Sequence, residues 1–168
     1  HIMNFTQNLE KALEYLHKQG AFLTTNVGDE TNTMTISWGS IGFIWKKPMF
    51  TVLVRKSRHT HELIEKAGEF TISLPLDENM KKALGICGSK SGRDMDKIKE
   101  CNLELQEGKS ISTPVIKGCG VHYECKVVFK QDMAPNLLDE DIDNSMYDSK
   151  DYHTVYYGEI VNCYEEEK

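Results

Sequence analysis

Four residues within a six-residue span can grip a phosphate. Arg55, Ser57, Arg58 and Thr60 follow an apolar, β-branched run, Met49–Val54. Two guanidinium groups, two hydroxyls and a helix start at one strand end suit the oxygens of a dianion. A basic surface patch would have the same residues, and the acid distribution decides between the two. The chain carries 26 Asp and Glu against 20 Lys and Arg, a net charge of −6. No acid occurs from Thr31 through His61, where an even spread of the 26 would place about five. The stretch is locally positive in an acidic chain, and an anionic ligand is the simplest reason.

Upstream, Thr33, Met34, Thr35, Ile36, Ser37 and Trp38 alternate small polar and apolar side chains. A strand of this pattern, with hydroxyls on one edge and an indole at its end, can lie against a flat heterocycle. Ser89, Lys90 and Ser91 sit in a basic loop flanked by Gly88 and Gly92 and are expected to close over such a ligand. His153 and Tyr157 fall on the last strand, and His153 is the side chain there suited to titrate near neutrality. His17, His61 and His122 are read as structural, and Asp94, Asp96 and Lys97 as helix caps and surface pairs. No His/Cys/Asp spacing suggests a metal, and no Ser-His-Asp set can be assembled, so neither a metal nor a protein catalytic residue is expected.

The elements that must position these groups alternate along the chain. Phe5, Leu9, Leu13 and Leu16 predict a helix ending near Gly20. Strands follow at Ala21–Val27, Thr33–Trp38 and Met49–Val54, with bends at Trp38-Gly39 and Ile41-Gly42. Thr60 is placed as the cap of a short helix that Gly68 ends. A strand is expected at Glu69–Pro75, a helix after Asp77 and a third short helix from about Arg93 to Glu100. Short extended pieces at Leu103–Leu105 and Ile111–Lys117 precede long strands at Cys119–Lys130 and His153–Tyr164. The segment between them, Gln131–Asp151, is acidic and irregular and reads as a surface loop with a short helix at Leu137–Ile142. The tail, Glu165–Glu167, reads as solvated. Six or more strands with short helices between them suggest a closed antiparallel barrel with helices at its ends.

At 168 residues the chain is expected to form a single domain, residues 1–168, with His1-Ile2 as a vector remnant before Met3. Net charge and a pI near 5.5 argue against a general nucleic-acid binder. No apolar run approaches the roughly 20 residues of a membrane span, and no signal-peptide layout is seen. Five cysteines, an odd number without a C-x-x-C pair, read as reduced thiols of a cytoplasmic protein.

Four pieces in order carry a family resemblance: Thr-Met-Thr-Ile-Ser-Trp at 33–38, the Trp45-x-x-Pro48 turn, Val52-x-Val54-Arg55-x-Ser57-Arg58-x-Thr60, and Ser91-Gly92-Arg93-Asp94-x-Asp96-Lys97. Together they resemble the flavin reductase-like family with an FMN-binding split barrel, and within it the flavoredoxin branch, from about Gly20 to Tyr164. The resemblance implies a mainly β (α+β) fold, an antiparallel split β-barrel, and FMN as cofactor. It implies that the 33–38 strand faces the isoalloxazine, that Lys90 contacts the flavin, and that the last strand runs near the site. It further implies a homodimer, and NAD(P)H or a redox protein as donor to flavin N5. Without a G-x-G-x-x-G, a nicotinamide would stack on the open flavin face. Two other readings stay open: an FMN electron carrier without turnover of its own, and a relative of the pyridoxamine-phosphate oxidase barrels that holds another anionic ligand.

Overall fold

A computed structural model describes residues 4–166. In chain order it has α1 (Leu9–Lys18), β1 (Ala21–Val27), β2 (Glu30–Ile36), β3 (Gly39–Ile44), β4 (Lys47–Arg55), α2 (His59–Ala67), β5 (Glu69–Leu74), α3 (Lys81–Ser89), α4 (Lys97–Glu100), β6 (Leu105–Gln106), β7 (Val115–Ile116), β8 (Val121–Asp132), a 3-10 turn (Pro135–Leu137), α5 (Glu140–Met146) and β9 (His153–Glu165). Seven strands form one sheet in the order β2-β1-β5-β8-β9-β4-β3, every pairing antiparallel.

The two edges of this sheet, β2 and β3, are joined by Ser37 and Trp38 alone. Three peptide steps reach at most about 11 Å. Six strand spacings laid flat would span about 29 Å. The sheet must therefore curl until its edges approach at the Ser37–Trp38 link, and it is unpaired elsewhere along them: a split barrel. β3 covers β4 only as far as the Gly39–Val52 pair, while β4 runs on to Arg55. The split thus opens beside Leu53–Arg55, opposite β2.

Alternation fixes which side chains fill the interior. Phe50, Val52 and Val54 of β4 point inward with Phe70, Ile72, Tyr123 and Tyr156, while Leu53 and Arg55 take the other face. Each large apolar side chain so buried contributes about 2 to 3 kcal/mol. The interior is tight: a Cβ on Gly158 would lie 2.4 Å from the Phe70 ring. A second cluster, Phe22, Leu84, Cys87, Ile116 and Cys119, fixes α3 on the outer face of the sheet.

Several sequence expectations are corrected. Gly39–Gly42 does not bend; it is part of β3, a strand the two glycines disguised. The expected Trp45-x-x-Pro48 turn is present, and it falls on Trp45-Lys46, both left-handed (φ 58° and 60°), as a two-residue hairpin demands although neither is glycine. Trp45 is held there against Phe129 and Tyr157, at 6.1 and 5.8 Å between ring centres. Thr60 does not cap α2. Arg58 occupies the cap position, and Thr60, the second residue of the helix, lies buried and accepts from Asn32 Nδ2 at 2.8 Å. Gly88 and Ser89 are helical, because α3 runs through Ser89. The tail is not free: Glu166 accepts from Gly118 N–H at 2.9 Å and pairs with His122 at 3.1 Å. His1 and Ile2, the expected vector remnant, and Glu167 lie outside the described residues.

Candidate functional site

Two clefts flank β2. The larger, about 700 Å³, lies between Asp29–Asn32 and Gly92–Ile98 and sets the carboxylates of Asp29, Glu30, Asp94 and Asp96 against the cations Arg93 and Lys97, so that its net charge is negative. That charge repels a phosphate. The smaller, about 190 Å³, sits in the split and is lined by Met34, Thr35, Ile36, Ser37, Trp38, Leu53, Arg55, Arg58 and His153. It holds no carboxylate, so the acid-free stretch of sequence becomes an acid-free cleft.

Eight of the expected site residues meet there: Met34 to Trp38, Arg55, Arg58 and His153. The others do not line it. Thr33 is buried, bonded to Thr24 and to the Leu23 carbonyl. Ser57 donates to the Asp151 carboxylate. Thr60 is engaged with Asn32. Ser89 donates to the Gly85 carbonyl, and Ser91 accepts from Arg93 N–H. Lys90 is exposed just past α3. Leu53, which the sequence reading did not single out, forms part of the wall.

The two arginines do different things. Arg55 donates to the carbonyls of Asp151 (2.6 Å) and Met146 (3.2 Å) and lies over the Tyr147 ring at 5.0 Å. Its fork is thus engaged in shaping the α5–β9 connection. Arg58 donates to the carbonyls of Gly88 (2.9 Å) and Cys87 (3.1 Å) at the C-terminal end of α3. Cations are favoured there by the helix dipole.

Lys97 joins Arg58. It is 3% exposed, and its Nζ stands 3.3 Å from the same Cys87 carbonyl and 3.3 Å from that of Lys90. The expected surface pair is therefore a buried ammonium. Burial first, and Arg58 second, push its pKa down to about 8. Burial likewise lowers Arg58. Among the described residues neither cation is within salt-bridge distance of a carboxylate. Buried charge without a counter-charge is costly. Lys97 lines the larger cleft and Arg58 the smaller one; an anion beside Arg58 would relieve both charges, and in this respect the residues fit a phosphorylated ligand.

On the other lip, His153 is buried with its Nδ1 2.6 Å from Tyr147 Oη. Burial, then Arg55, lowers its pKa to about 4, so the ring is neutral at physiological pH. Trp38 tilts across it at 5.6 Å and is itself 43% exposed, an aromatic wall left half uncovered. The arrangement offers a planar ligand an indole, a neutral imidazole and the unpaired outer edge of β2. At one end it offers a phosphate group Arg58, with Lys97 behind it.

No helix among the described residues is long and apolar enough to cross a membrane. A protein of Archaeoglobus fulgidus is 29% identical over 150 residues, which is 89% of this chain and 74% of that one. Flavoredoxin of Methanosarcina acetivorans has a TM-score of 0.70 at 29% identity, covering 89% of this chain and 69% of its own. An FMN-binding protein of Thermus thermophilus has a TM-score of 0.68 at 24% identity, over 88% and 70% of the two chains. The model of the flavin reductase like domain matches residues 14–168. Strand order, split cleft and domain match agree: the chain belongs to the flavin reductase-like family.

Proposed function

We propose that this chain binds FMN in the split between β2 and β4 and passes electrons from NAD(P)H, or from a redox protein, to an acceptor. One observation carries the reading: the carboxylate-free cleft in which Trp38, neutral His153 and Arg58 converge, backed by the uncompensated charge of Lys97. Likeness to a flavoredoxin and to an FMN-binding protein supports FMN in particular.

When bound, FMN supplies the redox chemistry by accepting a hydride equivalent and releasing electrons. The chain's own residues bind and orient. Arg58 holds the phosphate and Lys97 supports it from behind. Trp38 walls the ring, and the outer edge of Met34–Ser37 offers backbone donors and acceptors to the ring's polar rim. Arg55 keeps the α5–β9 connection, and with it His153, in place. Ser57, Thr60, Ser89, Lys90 and Ser91 lie outside the cleft.

A second copy is part of this reading. The cleft of about 190 Å³ falls below the roughly 300–1,000 Å³ of small-molecule sites, so one chain covers only part of the ligand. Trp45 and Phe129 pack together on the outside of the β3–β4 hairpin and β8, and Phe43 lies on the same hairpin, with Phe43 63% and Trp45 56% exposed. Patches of this kind mark interfaces, and a homodimer closing on it would complete the wall. Unpaired thiols suit a reducing compartment, and we place the protein in the cytoplasm.

The test is steady-state oxidation of NADH and NADPH by the FMN-loaded protein with an artificial acceptor. Turnover with one of them is expected. Full FMN loading with no oxidation of either nucleotide would remove the reductase reading in favour of a carrier fed by a redox protein.

A further inference from the structure

We propose that Tyr147 is a positioning residue: its hydroxyl fixes His153 as the Nε2–H tautomer, so the imidazole presents a hydrogen-bond donor to the cleft. Tyr147 ends α5, in the acidic segment whose sequence shows no periodicity, and is 2% exposed. Its ring cannot swing. Arg55 covers one face at 5.0 Å, Tyr152 stacks on it at 5.0 Å between centres, and Arg55 also pins the carbonyls of Met146 and Asp151 on either side. The hydroxyl is thereby aimed.

It has one proton and two neighbours, His153 Nδ1 at 2.6 Å and Met133 Sδ at 3.3 Å. A thioether is a weak acceptor, whereas an unprotonated imidazole nitrogen is a good one. At the shorter distance the proton goes to Nδ1. An Nδ1 that accepts carries no hydrogen, so the neutral ring must hold its own proton on Nε2. The charged groups near the ring are Arg55 and Asp151. Arg55 opposes a second proton more strongly than Asp151 favours it, and burial opposes it too. The described residues give Nε2 no hydrogen-bond partner, while His153 lines the cleft. The donor is left for a ligand.

A fixed donor in the cleft wall discriminates. It rewards a carbonyl, carboxamide or anionic oxygen at that corner and penalises a ligand with a hydrogen or a methyl group there. Placed in the proposed FMN site, this selects an acceptor oxygen on the flavin rim or on a nicotinamide carboxamide. The ligand class rests on the functional reading above, whereas the tautomer does not.

The experiment uses the flavin-free protein with ¹⁵N-labelled histidine and long-range ¹H–¹⁵N NMR. His153→Gln assigns the signal by its loss. A pyridine-like Nδ1 beside a pyrrole-like Nε2 is expected in the unsubstituted protein. Tyr147→Phe, which removes only the hydroxyl, should give both tautomers. A pyrrole-like Nδ1 in the unsubstituted protein overturns the proposal, and that spectrum decides the matter even if the variant does not fold. An unaltered tautomer in folded Tyr147→Phe overturns it as well. Loaded with FMN, the same variant should raise KM for NADH about threefold with little change in kcat. An unmoved KM beside a shifted tautomer would overturn the ligand assignment.

Discussion

Replacing Lys97 with methionine should stabilise the flavin-free protein and weaken its hold on FMN. The side chain is 3% exposed, and its ammonium meets two carbonyls and Arg58 but no carboxylate within reach among the described residues. Its pKa falls from an ordinary 10.5 to about 8. At 1.36 kcal/mol per pKa unit, carrying the charge costs the fold about 3 kcal/mol at pH 7. The sign follows from proton counting. Between about pH 8 and 10.5 the unfolded chain holds the proton and the folded chain does not, so stability rises with pH in that window. Methionine matches the length of the side chain and omits the charge. In urea unfolding at pH 7 the midpoint should rise by roughly 1 M, taking about 2 kcal/mol of net gain and an m-value near 2 kcal/mol/M. By pH 9.5 the gap between the two proteins should shrink by about 2 kcal/mol, because the unsubstituted protein has shed its proton. FMN should bind more weakly to the variant and riboflavin nearly as before. A destabilised variant with a pH-independent gap would refute the reasoning and make Lys97 a structural donor to the end of α3.

Arg58→Ala should weaken FMN about tenfold or more with far less effect on riboflavin, read by fluorescence titration, since only the phosphate loses its partner. Arg55→Ala should instead lower stability and loosen the α5–β9 connection, seen as faster amide exchange around Tyr147–Tyr152, because its donors hold the Met146 and Asp151 carbonyls. Glu124 is fully buried and accepts from the N–H groups of Lys109, Ser110 and Ile111 and from the Tyr164 hydroxyl; Glu124→Ala should cost about 3 kcal/mol in thermal or urea unfolding. Acid should destabilise the fold through His153: the unfolded chain protonates near 6.5 and the folded one only at about 4, so stability present above pH 6.5 is lost toward pH 4, by about 3 kcal/mol, and His153→Gln should flatten that profile. His122, also lowered by burial, acts in the same direction. Trp45→Glu should leave a folded monomer by sedimentation if the aromatic hairpin face joins two copies.

Much of this was legible in the sequence because one rule governed it. Period-two alternation found β2, β4, β5, β8 and β9, and the run without acids located the cleft wall. Misreadings arose where tertiary packing overrode a local cue. Gly39 and Gly42 suggested bends, yet pairing with β4 makes them strand; the Trp45-x-x-Pro48 turn was legible, but not the left-handed backbone of Trp45 and Lys46, which is stabilised by aromatic contacts no local pattern reports. Thr60 has the side chain of a cap, but Asn32, 28 positions away, takes its hydroxyl. Lys97 sits in an Asp-x-Asp-Lys run that reads as solvated. Only the fold places it beneath α3 beside Arg58. Tyr147 and Leu53 escaped for the same reason: a side chain's partner across the barrel leaves no mark on its sequence neighbours.

The central claim is that Arg58 and the split cleft hold a phosphorylated flavin. Parallel titrations of the flavin-free protein with FMN and riboflavin test it most directly. Saturation with one FMN per chain, riboflavin binding at least tenfold weaker, and loss of that preference in Arg58→Ala are the results predicted. Equal affinity for the two flavins, or a preference that survives the substitution, would contradict the account.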